Sequence, residues 1–235
     1  MTGRVLAIVP AFNEQDSLPQ VLAELRTVPG LDVVVVNDGS VDRTPEVARQ
    51  AGAAVIDLPV NAGMFCAVQT GFRYALRRGY GIVVQVDADG QHDPAGIPEL
   101  VRPILEHGVD LVIGSRFRGQ VAYRMPLARR IGTALFGWLT SLAVGQRITD
   151  TTCGFRAYGP AVVRLFATET SFEFRDAIGL VMLHRGGFTM TEVPAVVRPR
   201  ASGQSSIGSL LSLVYPFHYL LALLVVLASE PVRKV

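Results

Sequence analysis

The sequence contains little cysteine, little lysine and little charge. Its 235 residues include two cysteines, which is too few for a disulfide framework and makes a reducing compartment the default expectation. Charged residues make up 18% of the chain, against about 25% in a typical soluble protein, and hydrophobic residues make up 49%. Intrinsic disorder is therefore excluded for most of the chain, and the length is sufficient for one or two domains.

Motifs typical of several enzyme classes are also absent. No Gly-x-Gly-x-x-Gly follows the first apolar segment and no Gly-x-x-x-x-Gly-Lys-Ser/Thr occurs, so a Rossmann dehydrogenase and a P-loop nucleotidase are disfavoured. No Gly-x-Ser-x-Gly suggests a serine hydrolase, and no cluster of cysteines or histidines suggests zinc. The first apolar segment is too short for a signal peptide, so we expect the catalytic part to stay in the cytoplasm.

Charge is distributed unevenly along the chain. Residues 1–110 contain 8 arginines and 14 acidic residues, whereas residues 111–235 contain 13 arginines, 1 lysine and 6 acidic residues. An acidic part followed by a basic part indicates two surfaces with different ligands. Every basic residue except Lys234 is an arginine, and guanidinium groups suit bidentate recognition of phosphate.

Short apolar segments alternate with helical patterns up to about residue 115. The segments end in Pro, Gly, Asn or Asp turns, as buried strands do, and they are residues 5–9, 33–36, 55–58, 82–86 and 111–114. This alternation predicts an α/β domain with a mainly parallel sheet flanked by helices. Four β-branched residues in a row at 33–36 predict a strand that is buried on both faces.

Polar residues follow each predicted strand. Ligands of open α/β sheets bind beyond the carboxyl ends of the strands, so we expect these residues to converge on one site. Asp87 and Asp89 form the most acidic of these turns, with Gln91 beside them. Two carboxylates at this spacing are tolerable when a divalent cation lies between them, and oxygen ligands suit Mg²⁺ or Mn²⁺ held together with substrate phosphates.

Two further segments indicate contact with a membrane. Residues 121–148 predict an arginine-bearing, otherwise apolar helix that suits a membrane interface, and a core helix packed on the sheet is the alternative. Residues 207–229 are uncharged and long enough to cross a bilayer. A transmembrane span, a hairpin-like insertion, an interfacial helix and a buried C-terminal helix all remain open for this segment, because Pro216 and His218 interrupt it.

Seven sequence blocks occur together over most of the chain. They are VPAFNE (9–14), VVVVNDGSVDRT (33–44), NAGMFCAVQTGFRYA (61–75), VQVDADGQHDP (84–94), VIGSRF (112–117), DTTCGFRAY (150–158) and EVPAVVRPRASGQSSI (192–207). In this order they resemble the family 2 glycosyltransferases of GT-A fold. Within that family they are most similar to the polyprenyl-phosphate sugar synthases, the branch of dolichyl-phosphate mannose synthase.

The resemblance implies a site for a nucleotide sugar, either a UDP-sugar or a GDP-sugar. The residues that would bind the donor nucleotide are Pro10, Asn13, Glu14, Asp38, Asn61 and Asp87. Asp87, Asp89 and Gln91 would hold Mg²⁺ or Mn²⁺, which neutralises charge on the leaving diphosphate. Four features depart from the family pattern: Asn37 stands where an aspartate is usual, Met64-Phe65-Cys66 replaces a glycine-containing run, Cys153 replaces a serine, and Ser205-Ser206 stands where many members have Ser-Lys.

The resemblance also implies phosphate contacts on the basic side of the site. The candidate acceptor- and phosphate-binding residues are Arg116, Arg129, Arg130, Arg200 and Ser205, and the candidate catalytic residues are Asp89, Arg116 and Asp150. Arg156 is either a functional or a structural arginine. A catalytic domain over residues 1–206, with an interface helix at about 121–148, would precede a membrane-associated segment at 207–229.

The reaction implied is inverting transfer of a glucose- or mannose-like sugar to polyprenyl monophosphate at the cytoplasmic face of the cell membrane. A monophosphate needs no general base, because its second pKa is near 6. The alternatives are a glycan or other hydroxyl acceptor, with Asp150 or Asp176 as the base, and a non-catalytic member of a membrane glycosylation complex. A small integral-membrane protein is a possible partner, and no nucleic acid is expected.

Overall fold

Strands and helices alternate along the chain. The computed structural model describes residues 3–118, 127–169, 177–198, 221–231 and 234, with the backbone alone for residues 127–133. The strands are β1 (Val5–Ala11), β2 (Leu31–Asn37), β3 (Ala54–Asp57), β4 (Ile82–Gln85), β5 (Leu111–Ser115), β6 (Arg156–Tyr158) and β7 (Met190–Pro194). The helices are α1 (Leu18–Leu25), α2 (Thr44–Gln50), α3 (Met64–Arg77), α4 (Ile97–His107), α5 (Leu127–Val144), α6 (Pro160–Thr168) and α7 (Ala177–Arg185). Residues 221–228 are also helical and are termed the C-terminal helix.

The strands form one sheet in the order β3-β2-β1-β4-β6-β5-β7. All neighbouring pairs are parallel except the two that involve β6, which runs against both β4 and β5. The α/β class and the mainly parallel sheet expected from the sequence are confirmed. The first five strands lie where the apolar segments predicted them, whereas β6 and β7 were not predicted.

Helices cover both faces of the sheet, so the strands are apolar on both sides. One apolar core lies between the sheet and helices α3, α6 and α7, and it includes Phe72, Phe166 and Leu180. The other lies between the sheet and helices α1 and α4, and it includes Leu22 and Leu100. A strand enclosed in this way cannot carry polar side chains at little cost, which restricts chemistry to the strand ends.

Helix α5 and the C-terminal helix each have one buried face and one exposed apolar face. Phe136 and Val144 of α5 belong to the core, whereas Leu135, Trp138 and Leu142 are exposed. The core-helix alternative is therefore correct for one face of α5. A membrane contact of its other face stays a prediction, and residues 121–126 of the predicted interface helix lie outside the described residues.

The C-terminal helix packs on the domain in a similar way. Its buried side chains are those of Leu223 and Val226, which join the core beside helix α7, and the Arg185 guanidinium donates to the Val226 carbonyl. Its exposed apolar side chains are those of Leu221, Leu224, Val225 and Leu227. Most of the segment 207–229 lies outside the described residues, so its mode of membrane contact stays a prediction.

Among the described residues, no helix combines the length and the apolar character that crossing a bilayer requires.

Gly71 allows helix α3 to lie close against the centre of the sheet. A methyl group at this position would lie 2.7 Å from Cδ1 and 2.9 Å from Cγ1 of Ile8, which is itself fully buried in β1. Such distances are far below van der Waals contact, so either the helix or the strand would have to shift. The close approach fixes the position of α3, and with it the turn that precedes α3 at the sheet edge.

We expect Gly71→Ala to destabilise the fold by about 1–2 kcal/mol, because overpacking of the core outweighs the roughly 1 kcal/mol gain in helix propensity. Urea unfolding should show a lower midpoint with an unchanged m value. Arg77→Ala, an exposed change in the same helix, should alter stability by no more than about 0.5 kcal/mol. A Gly71→Ala protein as stable as the parent would contradict the packing described.

Candidate active site

The loops that follow the parallel strands all leave the sheet at one edge. The register aligns Ala11 of β1 with Asn37 of β2, so these two strands end at the same level, whereas β4 ends at Gln85, level with Ile8 and three residues before the end of β1. Ser115 at the end of β5 is aligned with Pro194 of β7. The turns predicted to carry the chemistry are therefore brought together, as the sequence analysis expected.

The loops after β1 and β2 are joined by hydrogen bonds. The Asn13 backbone N–H donates to Ser40 Oγ at 3.0 Å, and the Asn13 side-chain oxygen accepts from the Val41 N–H at 3.0 Å. The Glu14 N–H donates to Thr44 Oγ1 at 2.8 Å, and the Glu14 carboxylate accepts from the Ser17 hydroxyl at 2.6 Å. Because these bonds hold both loops, the donor-binding surface predicted here is preorganised.

Asn13 itself adopts an unusual backbone conformation. Its φ of 56° lies in the left-handed region, which among the described residues no other non-glycine residue adopts. Asparagine tolerates this region better than most residues, although it costs some energy. Asn13 directly follows the exposed ring of Phe12 and the end of β1, where Pro10 is buried. This local turn places Glu14 over the second loop.

Asp38 organises the turn that opens helix α3. Its two carboxylate oxygens accept from the Ala62 N–H at 2.8 Å and the Gly63 N–H at 3.0 Å, and the Asn61 side chain accepts from Gly63 as well, at 3.1 Å. Gly39 makes this approach possible, because a Cβ there would lie 2.5 Å from the Asn61 nitrogen and its φ of +69° is left-handed. Asp38 and Asn61, both predicted to bind the donor, therefore belong to one assembly.

The departure at Asn37 has a local explanation. The Asn37 amide donates to Asp57 Oδ1 at 2.9 Å, while its oxygen accepts from the Ser40 N–H at 3.0 Å. Asp57 is also paired with the Arg49 guanidinium. An aspartate at position 37 would place two carboxylates in contact, whereas the amide supplies the donor that Asp57 requires.

Asp87 and Asp89 lie just beyond β4, in the middle of the sheet. The Asp87 side chain is 31% exposed, so it is accessible to a ligand. Asp89 is buried, and its Oδ1 accepts from the Gln91 N–H at 3.0 Å, which closes a tight turn. The two carboxylates and the Gln91 amide oxygen are the oxygen ligands that Mg²⁺ and Mn²⁺ prefer.

In the described part of the chain, no group of three or more His, Cys, Asp or Glu side chains is placed to hold a metal ion unaided. Mg²⁺ is commonly bound by one or two carboxylates together with substrate phosphates and water. The donor set of Asp87 and Asp89 fits that mode of binding better than an all-protein cage.

His92 and Gly154 both lie against Asp87. The Asp87 N–H donates to His92 Nδ1 at 3.1 Å, and His92 Nε2 lies 3.6 Å from the Asp87 carboxylate. The imidazole stacks on Phe155 with the ring centroids 5.0 Å apart. A Cβ on Gly154 would lie 3.0 and 3.1 Å from the two Asp87 carboxylate oxygens, so the absence of a side chain there leaves room for Asp87. His92 has no role predicted from the sequence, and its partner in the structure is Asp87.

The chain after β7 crosses the turn that carries Asp89. The Arg198 N–H donates to the Gln91 carbonyl at 2.7 Å, and the Gln91 amide donates to the Arg198 carbonyl at 3.3 Å. The Arg198 guanidinium pairs with Glu24 at 2.7 Å and Asp93 at 3.0 Å. The hydrogen bond to Glu24 raises the pKa of Arg198. This crossing brings the segment before Arg200 next to the predicted metal ligands.

Arg116 and Asp150 form a bidentate ion pair at the end of β5. Arg116 Nε and Nη2 donate to the two Asp150 oxygens at 2.7 Å each, and the Arg116 backbone N–H donates to the same carboxylate at 3.0 Å. Arg116 Nη2 also donates to Thr152 Oγ1 at 2.8 Å. Such a pair fixes the plane of the guanidinium.

The burial of Asp150 bears on its expected role as a base. Its side chain is 0% exposed, and both oxygens accept from Arg116. A carboxylate in this environment orients its partner and is poorly placed to take a proton from an acceptor hydroxyl. The other candidate base, Asp176, lies outside the described residues.

Arg156 and Cys153 are structural residues. Arg156 is buried in β6, and its guanidinium donates to the Cys153 carbonyl at 2.9 Å and the Thr151 carbonyl at 2.7 Å. The choice left open for Arg156 is therefore resolved in favour of a structural role. Burial raises the pKa of the Cys153 thiol to about 12, so this thiol stays protonated.

The remaining predicted phosphate ligands are only partly placed. Arg129 and Arg130 lie in the first turn of helix α5, where the backbone alone is described. Arg200 and Ser205 lie outside the described residues. Their roles stay predictions.

Residues 6–171 match the family model described as Glycosyl transferase family 2. The chain belongs to this family and is a glycosyltransferase, which confirms the resemblance. It is 34% identical over 226 residues to undecaprenyl-phosphate mannosyltransferase of Micrococcus luteus, over 87% of this chain and 88% of that protein. It is 31% identical over 219 residues to polyprenol monophosphomannose synthase of Mycolicibacterium smegmatis, over 88% of this chain and 82% of that protein.

The fold is also that of a solved glycosyltransferase. Glucosyl-3-phosphoglycerate synthase from Mycobacterium tuberculosis, crystallised with Mn²⁺, UDP and glucosyl-3-phosphoglycerate, superposes with a TM-score of 0.69 over 94% of this chain and 79% of that chain. The sequence identity is 21%, so this likeness shows the fold alone. The GT-A-like arrangement of a mixed sheet with flanking helices is thereby confirmed.

Three residues of the site were missed by the sequence analysis. Glu192, Gly154 and His92 all lie in blocks that carried the family resemblance, but none had an assigned role. Gly154 and His92 act on Asp87 as described, and Glu192 is buried beside Asp150. Their positions in otherwise informative blocks were the available signal, whereas their contacts depend on residues distant in sequence.

Gly154→Ala should weaken the binding of nucleoside diphosphate in the presence of Mn²⁺ by about tenfold or more, because a displacement of Asp87 by a fraction of an ångström disturbs a preorganised site. Titration with UDP and with GDP would measure the change. Gly3→Ala, whose Cβ would lie 3.8 Å from Leu105, is the control and should bind as the parent does. Unchanged affinity in Gly154→Ala would contradict the claim that a side chain at position 154 displaces the Asp87 carboxylate.

Proposed function

We propose that the protein transfers a hexosyl group, such as mannose or glucose, from a UDP- or GDP-sugar to polyprenyl monophosphate, with inversion at the anomeric carbon and with Mg²⁺ or Mn²⁺ as cofactor. The two relatives described above are named for transfer to, or synthesis on, polyprenyl phosphates. Both alignments extend over more than four fifths of this chain, which supports the same class of reaction here.

The donor would bind across the loops after β1, β2 and β4. Asp38, Glu14 and Asn13 would line the nucleoside part of the site, because hydrogen bonds already fix the loops that carry them. Asp87, Asp89 and Gln91 would hold the metal, since they follow the central strand β4 and offer two carboxylates and an amide oxygen as ligands. When bound, the cation offsets the charge that develops on the leaving nucleoside diphosphate.

The burial of Asp150 and its ion pair with Arg116 are the observations that favour a phosphate acceptor. A hydroxyl acceptor requires a base, and Asp150 is fully enclosed with both oxygens bonded to Arg116. A monophosphate has a second pKa near 6, so its oxygen is a nucleophile at neutral pH without a base. Arg116, fixed by Asp150, would contact a substrate phosphate, with Arg129, Arg130, Arg200 and Ser205 as further phosphate ligands.

The exposed apolar side chains support attachment to a membrane. Leu135, Trp138 and Leu142 project from helix α5, and the C-terminal helix exposes a similar row. Exposed apolar groups of this size beside arginine-bearing turns suit an interface with anionic lipid. We propose a catalytic domain over residues 1–206 and a membrane-associated segment at 207–229, with the site at the cytoplasmic face.

Incubation with radiolabelled UDP-glucose or GDP-mannose, polyprenyl monophosphate and Mn²⁺ should yield an acid-labile lipid-phosphate sugar. Asp89→Asn should lower the rate roughly a hundredfold to a thousandfold, because the developing diphosphate charge loses its compensation. The product is measured by extraction into organic solvent before and after mild acid.

Asp32→Asn is the matched control for Asp89→Asn. Asp32 is an exposed carboxylate at the opposite end of β2, paired with Arg4, and its loss should leave the rate unchanged. Absence of a lipid-linked product with every common donor would refute the proposed acceptor. Full activity of Asp89→Asn would refute its proposed role at the metal.

Trp138 is the only tryptophan and is 61% exposed, so its fluorescence reports on membrane contact. Emission should shift to shorter wavelength on addition of vesicles that contain anionic lipid, and Leu142→Ser should reduce vesicle binding severalfold, because an apolar side chain is removed from the contact. Leu105→Ser, a change of another exposed leucine on helix α4 in the other layer, should have no effect. Equal losses in the two variants would exclude α5 as the membrane-binding face.

A further inference from the structure

Glu192 is a fully buried carboxylate next to the proposed site. It lies in β7, in register with Ile113 of β5, and its side chain is 0% exposed. Buried carboxylates are tolerated only when charged partners or hydrogen bonds replace water. The partners of Glu192 therefore indicate what it holds in place.

Glu192 binds the turn that carries Asp150. Its Oε1 accepts from the Thr149 N–H at 2.8 Å and from the Asp150 N–H at 2.9 Å. Its Oε2 accepts from the Thr149 hydroxyl at 2.9 Å and lies 3.0 Å from Arg118 Nε. Three of these four contacts fix residues 149 and 150, so the turn is held by one side chain from another strand.

The same contacts reach the end of β5. A threonine hydroxyl carries one proton, and that of Thr149 is donated to Glu192, so the 2.8 Å contact between Thr149 and Ser115 must have Ser115 as its donor. The Ser115 oxygen in turn accepts from the Phe117 N–H at 3.2 Å. The negative charge of Glu192 thus sets the direction of the hydrogen bond between Thr149 and Ser115, the residue before Arg116.

We propose that Glu192 is a positioning residue for glycosyl transfer. It fixes the backbone of Asp150, and the Asp150 side chain fixes the guanidinium of Arg116 at the point where a substrate phosphate would bind. The inference rests on the proposed function in one respect, namely that Arg116 contacts such a phosphate. Glu192 itself touches no substrate in this scheme.

The charges of the four groups support this reading. Arg118 and Glu192 form one ion pair, and Arg116 and Asp150 form the other, so the burial of two carboxylates is compensated. Glu192→Gln would remove the negative charge that pairs with Arg118. It would also replace one carboxylate oxygen, which accepts hydrogen bonds from residues 149 and 150, by an amide group that donates. Arg116 would then keep its partner but lose the fixed turn behind that partner.

The test is a double-mutant cycle between Glu192→Gln and Arg116→Lys, which keeps a positive charge but loses the bidentate pair. Glu192→Gln should lower kcat/KM about tenfold in the parent and no more than about twofold in the Arg116→Lys background, since coupled residues are non-additive. A purely structural role would lower activity by the same factor in both backgrounds, and that result would overturn the proposal.

Two further variants serve as a control and as a substitute for Glu192→Gln in the double-mutant cycle. Thr191→Val, on the same strand and outside the network, should leave kcat/KM unchanged in both backgrounds. If Glu192→Gln does not fold, Thr149→Val removes the hydroxyl contacts to Glu192 and Ser115 but keeps the two backbone bonds to Glu192. It should show a smaller loss with the same dependence on Arg116. An additive loss there would equally overturn the proposal.

The dissociation constants of UDP and GDP, measured with Mn²⁺, test the role of Glu192 independently of the acceptor. If the parent forms no lipid-linked sugar, the acceptor assignment fails, and the cycle is read from the UDP and GDP dissociation constants instead. Coupling between positions 192 and 116 in those constants would support the positioning role. Additive changes, or no effect of Arg116→Lys on any readout, would refute it.

Discussion

The direction of the strands is the constraint on which this site depends. Six of the seven strands run the same way, so the loops after them leave the sheet at one edge. Helices cover both faces, and a strand buried on both sides can carry polar groups cheaply only at its ends. The residues proposed to bind nucleotide, metal and phosphate therefore lie along a single edge of the sheet. The fold permits this chemistry, but the residues at the strand ends define it.

Much of the fold could be predicted because its signals are local. The β-branched run at 33–36 and the turn residues that follow each early strand predicted β1 to β5 and the edge where Asp87 and Asp89 lie. Strands β6 and β7 were missed for a physical reason. β6 spans three residues and begins with a buried arginine, while β7 contains Glu192 at a buried position. Both carry charge where a buried strand is expected to be apolar, and the partners that neutralise it are distant in sequence.

Most residues of the candidate site could be named from the sequence, whereas their contacts with one another could not. Arg116 and Asp150 were both identified as candidate residues, but their ion pair was not predicted, because it spans 34 positions that no local pattern connects. Asp38 shows the same limit, since its oxygens hold the backbone before α3. A residue type reveals which chemistry is available, whereas the assignment of a proton acceptor, an anchor or a ligand requires knowledge of its neighbours.

Strand β6 has a consequence for the size of what can bind. It runs opposite to its neighbours and separates β4 from β5, so the loops bearing Asp87 and Arg116 leave the sheet two strand spacings, or roughly 10 Å, apart. One phosphate is too small to bridge that gap, whereas a diphosphate and an attacking phosphate with a sugar between them are of suitable length. The reversed strand therefore sets the spacing between the loop proposed to bind the donor diphosphate and the loop proposed to bind the acceptor phosphate.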